Sequence, residues 1–350
     1  MLQIDHVHFY VEDAQVWRDW FVNYLGFQAV VNSQFPVLSH QGSLSHTVTE
    51  VVKSGTVYFL LSSPLLPNSP VAEFLRQYKQ GVRDVAFRVE NVETAIALAQ
   101  KNGATILQPI QDHLSYKFAK IAAWGSLTHT LIERHTVDIQ SSFTNNHLFT
   151  AIDHVVLNVA VGDLKPAVSW YQNILDFQPQ QAFQIKTEYS SLHSQVMISA
   201  NGKVQLPINE PTSPNSQIQE FLEVNRGAGI QHIALHTIDL VSAIARFRSA
   251  GLSFLRVPQT YYTELQQRTK FPLSPQELRA IAQQEILVDW QKDAPLGALL
   301  LQIFTQPIFG EPTFFFEFIE RRSQAVGFGE GNFRALFEAI EIEQIKRGFI

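Results

Sequence analysis

An internal repeat constrains this chain more than any other feature. QIDHVHFYV (3–11) returns as AIDHVVLNV (151–159), so a histidine recurs 148 positions on, from 6 to 154. GVRDVAFRV (81–89) returns as GIQHIALHT (229–237) at the same spacing, and WFVNYLGF (20–27) returns as WYQNILDF (170–177) at a spacing of 150. One offset held in order over three segments marks a duplicated module, and 350 residues are comfortable for two such units. The stretch VDIQSSFTNNHLF (137–149), rich in Ser, Thr and Asn, reads as the joint between them. The expected units are residues 1–140 and 150–350.

Each copy runs strand, helix, then several strands, which predicts an α+β fold with mostly antiparallel sheets. IDHVVLNV is a short Val- and Ile-rich run, and DLKPAVSWYQNIL reads as a helix with Pro166 in its first turn. QVMISANGKVQLPIN holds Asn201-Gly202, a hairpin signal. If that pair is a two-residue turn, Ala200 opposes Lys203, and counting outward puts Ser194 opposite Asn209 on one face. By the same alternation, Gln302 shares a face with Phe304, and Phe315 shares one with Glu317. Gln231 adjoins His232 and in a regular strand faces away from it. GFGEGNFRALFEAI (327–340) lacks the spacing of a phosphate loop and predicts a glycine turn into an amphipathic helix, with Phe333 and Phe337 one turn apart.

Composition excludes several classes. The net charge is −6 with no block of like charges, which argues against nucleic acid or an anionic membrane as partner. There is no cysteine, hence no disulfide, thiol nucleophile or cysteine-ligated zinc. MLQIDH has no basic segment leading into an apolar core, and the longest apolar run, LGALLLQIF (296–304), is too short to span a bilayer. A cytoplasmic protein is expected. The 26 Phe, against 9 Tyr and 5 Trp, are unusual.

His154, His232 and Glu317 each sit inside an apolar strand. An isolated histidine there is more often a satisfied core residue, and Glu317 has Arg321 and Arg322 close in sequence as candidate partners. Taken together, two imidazoles and a carboxylate from three strands form the facial set of non-heme Fe(II) oxygenases, although zinc can occupy a similar set.

AIDHVVLNV, LPINEP, SQIQEFL, GAGIQHIAL, LLQIFTQP, PTFFFEFIERR and GFGEGNFRALFEAIEIEQ, in this order, resemble the vicinal-oxygen-chelate superfamily. Within it, the chain is similar to the 4-hydroxyphenylpyruvate dioxygenase family over nearly its whole length. The resemblance implies two tandem vicinal-oxygen-chelate domains of paired βαβββ modules, the C-terminal one a half-open barrel holding the metal under a C-terminal lid helix. It implies one Fe(II) per chain on His154, His232 and Glu317. It places Gln302, Phe304 and Phe333 at the reacting group, and Ser194, Asn209, Gln217, Gln231, Phe315, Phe328, Asn332 and Phe337 around the substrate. The implied substrates are 4-hydroxyphenylpyruvate and O2, the products homogentisate and CO2, and the assembly a dimer or tetramer. The substrate carries its own 2-oxo acid, so no separate 2-oxoglutarate is needed. The alternatives are a 4-hydroxymandelate synthase, an extradiol-type dioxygenase and a metal-free binding protein of the same fold.

Aligning the halves puts His6 against His154, Asp84 against His232, and Thr130 against Glu317. Thr is a poor Fe(II) ligand, so the first copy is expected to be metal-free, with His6 structural and bonded to a neighbour such as Asp84. No role is assigned to 266–284 or to Trp290.

Overall fold

The computed structural model describes residues 2–30, 46–135, 147–268, 271–291, 295 and 297–350. The expected joint at 137–149 lies outside the described residues except for 147–149. Phe149, the last of these, is core rather than linker: it is fully buried and packs against Phe27, Phe247 and Phe318.

The first half forms one eight-stranded sheet from β1 (Gln3–Tyr10), β2 (Gln28–Val30), β3 (Thr47–Ser54), β4 (Val57–Pro64), β5 (Gly81–Arg88), β6 (Ile106–His113), β7 (Tyr116–Ala122) and β8 (Thr128–Arg134). The second is built from β9 (Ala151–Asn158), β10 (Phe177–Lys186), β11 (Ser191–Ser199), β12 (Gln205–Pro211), β13 (Gly229–His236), β14 (Leu287–Asp289), β15 (Leu299–Phe304) and β16 (Phe315–Arg322). The strand orders are β2-β3-β4-β1-β5-β8-β7-β6 and β10-β11-β12-β9-β13-β16-β15-β14, which is one topology written twice. Pairing is antiparallel except for β1–β4 and β5–β8, and their counterparts β9–β12 and β13–β16. Each half is thus two βαβββ units side by side, and the second sheet curls into a half-barrel.

The helices are α1 (Ala14–Leu25), α2 (Pro70–Gln77), α3 (Val92–Lys101), α4 (Leu164–Leu175), α5 (Gln217–Asn225), α6 (Leu240–Ser249), α7 (Gln259–Gln267), α8 (Pro275–Gln283) and α9 (Phe333–Arg347). Among the described residues, none is long and apolar enough to cross a membrane. The duplicated α1 and α4 end alike, Gly26 (φ 68°) and Asp176 (φ 54°) both turning left-handed to close the last turn.

The surplus of phenylalanine is concentrated at the seam between the halves. Along β16, Phe315 and Glu317 face one side, while Phe316 and Phe318 face the other. Phe316 meets Phe21 and Phe59 of the first half at ring separations of 5.8 and 5.9 Å, and Phe314 meets Phe9 at 5.2 Å. Each fully buried ring contributes roughly 1.5–3 kcal/mol of hydrophobic stabilisation, so this seam joins the halves into one core.

The β11–β12 register pairs Ser194 with Asn209, as the sequence predicts, but the turn is wider than two residues. Ala200 and Lys203 do not pair. The Gly202 N–H donates to Ser199 O (2.7 Å), and the Ser199 hydroxyl accepts from Val204 N–H (2.9 Å). A two-residue type I′ turn needs positive φ at both centres. Here only Gly202 (φ 73°) supplies it, so the loop closes over four residues about the same midpoint and the register is preserved.

Candidate metal centre and cavity

β9, β13 and β16 are neighbours in the middle of the second sheet. Ala234 on β13 lies opposite His154 on one side and Glu317 on the other. The methyl group between them leaves room for the imidazole and carboxylate to meet: His154 Nε2 is 3.1 Å from Glu317 Oε2. His232, two residues along β13, brings its Nε2 to 3.6 Å from the same oxygen. One ligand atom from each residue lies within 4.8 Å of the other two, and no other His/Asp/Glu group among the described residues meets that test.

The surroundings orient this set. His154 Nδ1 bonds Asp153 Oδ1 (2.9 Å), and Asp153 receives two bonds from Arg321, at 2.7 Å each. With Nδ1–H committed to a carboxylate, the Nε2 lone pair is free for a metal. Glu317 Oε1 accepts from Gln302 Nε2 (2.9 Å), which leaves Oε2 for the centre. Neither Arg321 nor Arg322 is the partner of Glu317; Arg322 bonds Glu320 instead. Burial opposes charge on both His154 and Glu317, yet each stabilises the other. His154 is raised to about 9 and Glu317 lowered to about 2, the signature of a site with a carboxylate's charge to neutralise. Two imidazoles and one buried carboxylate fit a divalent first-row ion, whose positive charge would take the place of the proton that Glu317 and Asp153 favour on His154.

The triad forms one end of a cavity of about 700 Å³, counting its open mouth. Ser194, Asn209, Gln217, Gln231, Phe315, Phe328, Asn332 and Phe337, with Gln302, Phe304 and Phe333, all lie on its wall. Gln231 departs from the expectation that it faces away. A register shift between Ile230 and His232 makes it the extra residue of a β-bulge, and a bulge breaks the alternation so that adjacent side chains can line the same cavity. Sequence reasoning missed Phe183 and Ile185 of β10, which close the opposite wall. Phe183 meets Phe333 edge-on at 5.2 Å. Their alternate spacing in AFQIK was the available signal. It also missed the Asp153–Arg321 clamp, although Asp before His and Arg after Glu-type positions recur in both copies.

The C-terminal helix is less amphipathic than predicted. α9 buries Glu341 and Gln344 beside Phe337 and leaves Ile342 and Ile345 half-exposed. Polar pairs hold it down: the Ser190 and Thr187 hydroxyls donate to Glu341, and Arg347 bonds Glu220 with two contacts at 2.8 and 3.0 Å. The turn before it requires glycine. At Gly329 (φ 76°), a Cβ would lie 1.8 Å from Gln302 Oε1.

The first half keeps the clamp and lacks the ligands. His6 bonds Asp5 (2.8 Å), and Asp5 bonds Arg134 (2.6 and 2.7 Å), repeating His154–Asp153–Arg321. Asp84 and Thr130 occupy the places of His232 and Glu317. The Thr130 and Thr128 hydroxyls and the Thr130 N–H donate to Asp84, so local donors hold the carboxylate. The His6 ring is held by Asp5, the residue before it in sequence.

The Glyoxalase/Bleomycin resistance protein/Dioxygenase superfamily profile matches residues 3–121 and 151–271, once in each half. Fold and site thus define a tandem member of that superfamily with one three-residue group, among the described residues, able to hold a metal ion. A 4-hydroxyphenylpyruvate dioxygenase of Dictyostelium discoideum is 36% identical, with 98% of each chain covered. One of Caenorhabditis briggsae is 35% identical, covering 99% of this chain and 93% of the relative. A solved triple mutant of 4-hydroxymandelate synthase from Streptomyces coelicolor superposes with a TM-score of 0.84 at 25% identity, over 98% of each chain. The chain belongs to the 4-hydroxyphenylpyruvate dioxygenase family and is a dioxygenase.

Proposed function

We propose that this chain converts 4-hydroxyphenylpyruvate and O2 to homogentisate and CO2, with one Fe(II) per chain held by His154, His232 and Glu317. The observation that carries this reading is the buried two-histidine, one-carboxylate set opening onto a phenylalanine-walled cavity. Fe(II) bound there supplies the redox capacity for dioxygen chemistry and open positions for a chelating 2-oxo acid. The chain's own residues supply orientation and dryness. Phe304, Phe315 and Phe333 offer flat apolar walls for an aromatic ring. Ser194, Asn209 and Gln231 supply polar contacts, and the buried Gln217 Oε1, without a partner among the described residues, accepts a phenolic O–H. Both Gln302 N–H groups are engaged, by Glu317 and by Phe328 O, so Gln302 acts by holding the carboxylate. Phe328, Asn332 and Phe337 close the cavity from the C-terminal segment. The catalytic unit is residues 150–350; residues 1–140 form a metal-free unit that buttresses it, and the working assembly is a dimer or tetramer.

The test is oxygen uptake by Fe(II)-loaded protein with 4-hydroxyphenylpyruvate, followed by mass spectrometry of the product. Homogentisate is expected. A 4-hydroxymandelate product would move the assignment to the synthase, whose Streptomyces member shares this fold. Binding without oxygen uptake would make the chain a binding protein.

A further inference from the structure

The segment between β13 and β15, which contains the unassigned 266–284 and Trp290, grips the turn that leads into α9. Tyr261 on α7 has its hydroxyl 2.8 Å from Asn332 Oδ1 and 2.8 Å from Val288 N. Arg268, just past the same helix, donates to Gly331 O (3.1 Å) and Asp289 Oδ1 (3.4 Å), and lies over the Trp290 ring at 5.2 Å. Asp289 in turn accepts from Gly331 N–H (3.0 Å). The approach is close enough that a Cβ on Gly331 would fall 2.3 Å from Asp289 Oδ1 and 2.4 Å from Arg268 Nη2.

From Asn332 the contacts run inward to the triad. Asn332 Nδ2 donates to Gln302 Oε1 (2.8 Å), and Gln302 Nε2 donates to Glu317 Oε1 (2.9 Å). We infer that Tyr261 is a positioning residue for the metal centre: it fixes the direction of the Asn332–Gln302 amide chain that ends on Glu317, with Arg268 steadying the same turn. The direction follows from the two ends. A carboxylate only accepts, so Gln302 must present its NH2 to Glu317 and its oxygen to Asn332; Asn332 must then present its NH2 inward and its oxygen outward. At the far end, Val288 N–H only donates, so the Tyr261 oxygen accepts from it and the single hydroxyl proton is left to give. Val288 O lies 3.0 Å from that hydroxyl. Turning the proton there would set a lone pair against Asn332 Oδ1, so the proton goes to Asn332. With the chain locked, Glu317 has Oε1 tied and only Oε2 facing the two histidine Nε2 atoms.

This inference rests on a metal being held by the triad, whichever ion it is. The test compares Tyr261→Phe with Tyr262→Phe. Tyr262 is the adjacent buried tyrosine, and its hydroxyl bonds Ile286 O (3.1 Å), with no path to the triad. Apo protein is titrated with Co(II) alone, and both affinity and visible absorption are read. Both variants are expected to lose similar stability. Tyr261→Phe alone should bind Co(II) about threefold to tenfold more weakly and shift its absorption bands, as an outer-shell partner of a ligand would. If Tyr261→Phe fails to fold, Arg268→Ala carries the test with the same expected direction. Unchanged affinity and spectrum in Tyr261→Phe, or an equal change in Tyr262→Phe, overturns the inference. Wild-type protein that takes up no Co(II) would instead overturn the metal reading, and this inference with it.

Discussion

The duplicated clamp permits an internally controlled experiment on Asp153 and its counterpart Asp5. Asp153→Asn removes the charge that faces Arg321 while keeping the side chain's shape. Breaking a mostly buried ion pair from one side costs about 3–5 kcal/mol. Asn retains one acceptor oxygen, and Arg321 keeps the Ala325 and Gly327 carbonyls, so the lower end, ~3 kcal/mol, is expected. Asp5→Asn breaks a pair of nearly the same geometry with Arg134, so it should cost about as much. Burial works against both carboxylates, but the His and Arg partners hold each well below the usual range. Their stabilisation is therefore fully present above the unfolded value near 3.8 and lost as pH falls below it, so wild type and variants should converge in acid. Metal affinity separates the two. Asp153 orients the Nε2 of a proposed ligand, and its loss should weaken divalent-metal binding by about tenfold or more; Asp5 orients a histidine that belongs to no metal-ligand group among the described residues. Urea denaturation followed by tryptophan fluorescence reads the first quantity, and Co(II) titration of apo protein reads the second. Equal losses of metal affinity in the two variants, or an unchanged affinity in Asp153→Asn, would refute the reasoning.

Other outcomes follow from the same contacts. Alanine at His154, His232 or Glu317 should each abolish oxygen uptake in folded protein, since a three-ligand face has no spare donor; near-wild-type turnover in any of them would remove that residue from the centre. Elemental analysis should give one tightly bound ion per chain, and His6→Ala should lower stability while leaving that count intact. Gly329→Ala should cut turnover by at least tenfold, because it drives a methyl group into Gln302 at a left-handed position; crystal density showing Gln302 unmoved would contradict this. Burial lowers His8 to about 3 and His129 to about 4 from 6.5, so stability present above pH 6.5 should fall as pH drops towards 4, and a flat urea midpoint over that window would disprove it.

The repeat and the alternation of its strands made much of this molecule readable in advance. One offset carried the twofold topology, because two copies of one pattern bury the same faces. The hairpin midpoint fixed Ser194 against Asn209, because register depends on where a loop is centred rather than on its length. What stayed hidden was whatever breaks strict periodicity or reaches across the chain. Gln231 turns inward through a bulge that no local residue announces. Tyr261 bonds Asn332 from 71 positions away, and α9 is fastened by Glu220 on another helix as well as by its apolar residues.

The bulge on β13 also bears on how this site can change. A regular strand offers a cavity every second residue, so a neighbour of a metal ligand normally belongs to the opposite face. Here positions 231 and 232 are consecutive and both look inward. Substitution at 231 can therefore reshape the cavity wall while leaving His232 in place beside Glu317, so the wall and the triad are free to evolve separately on one strand.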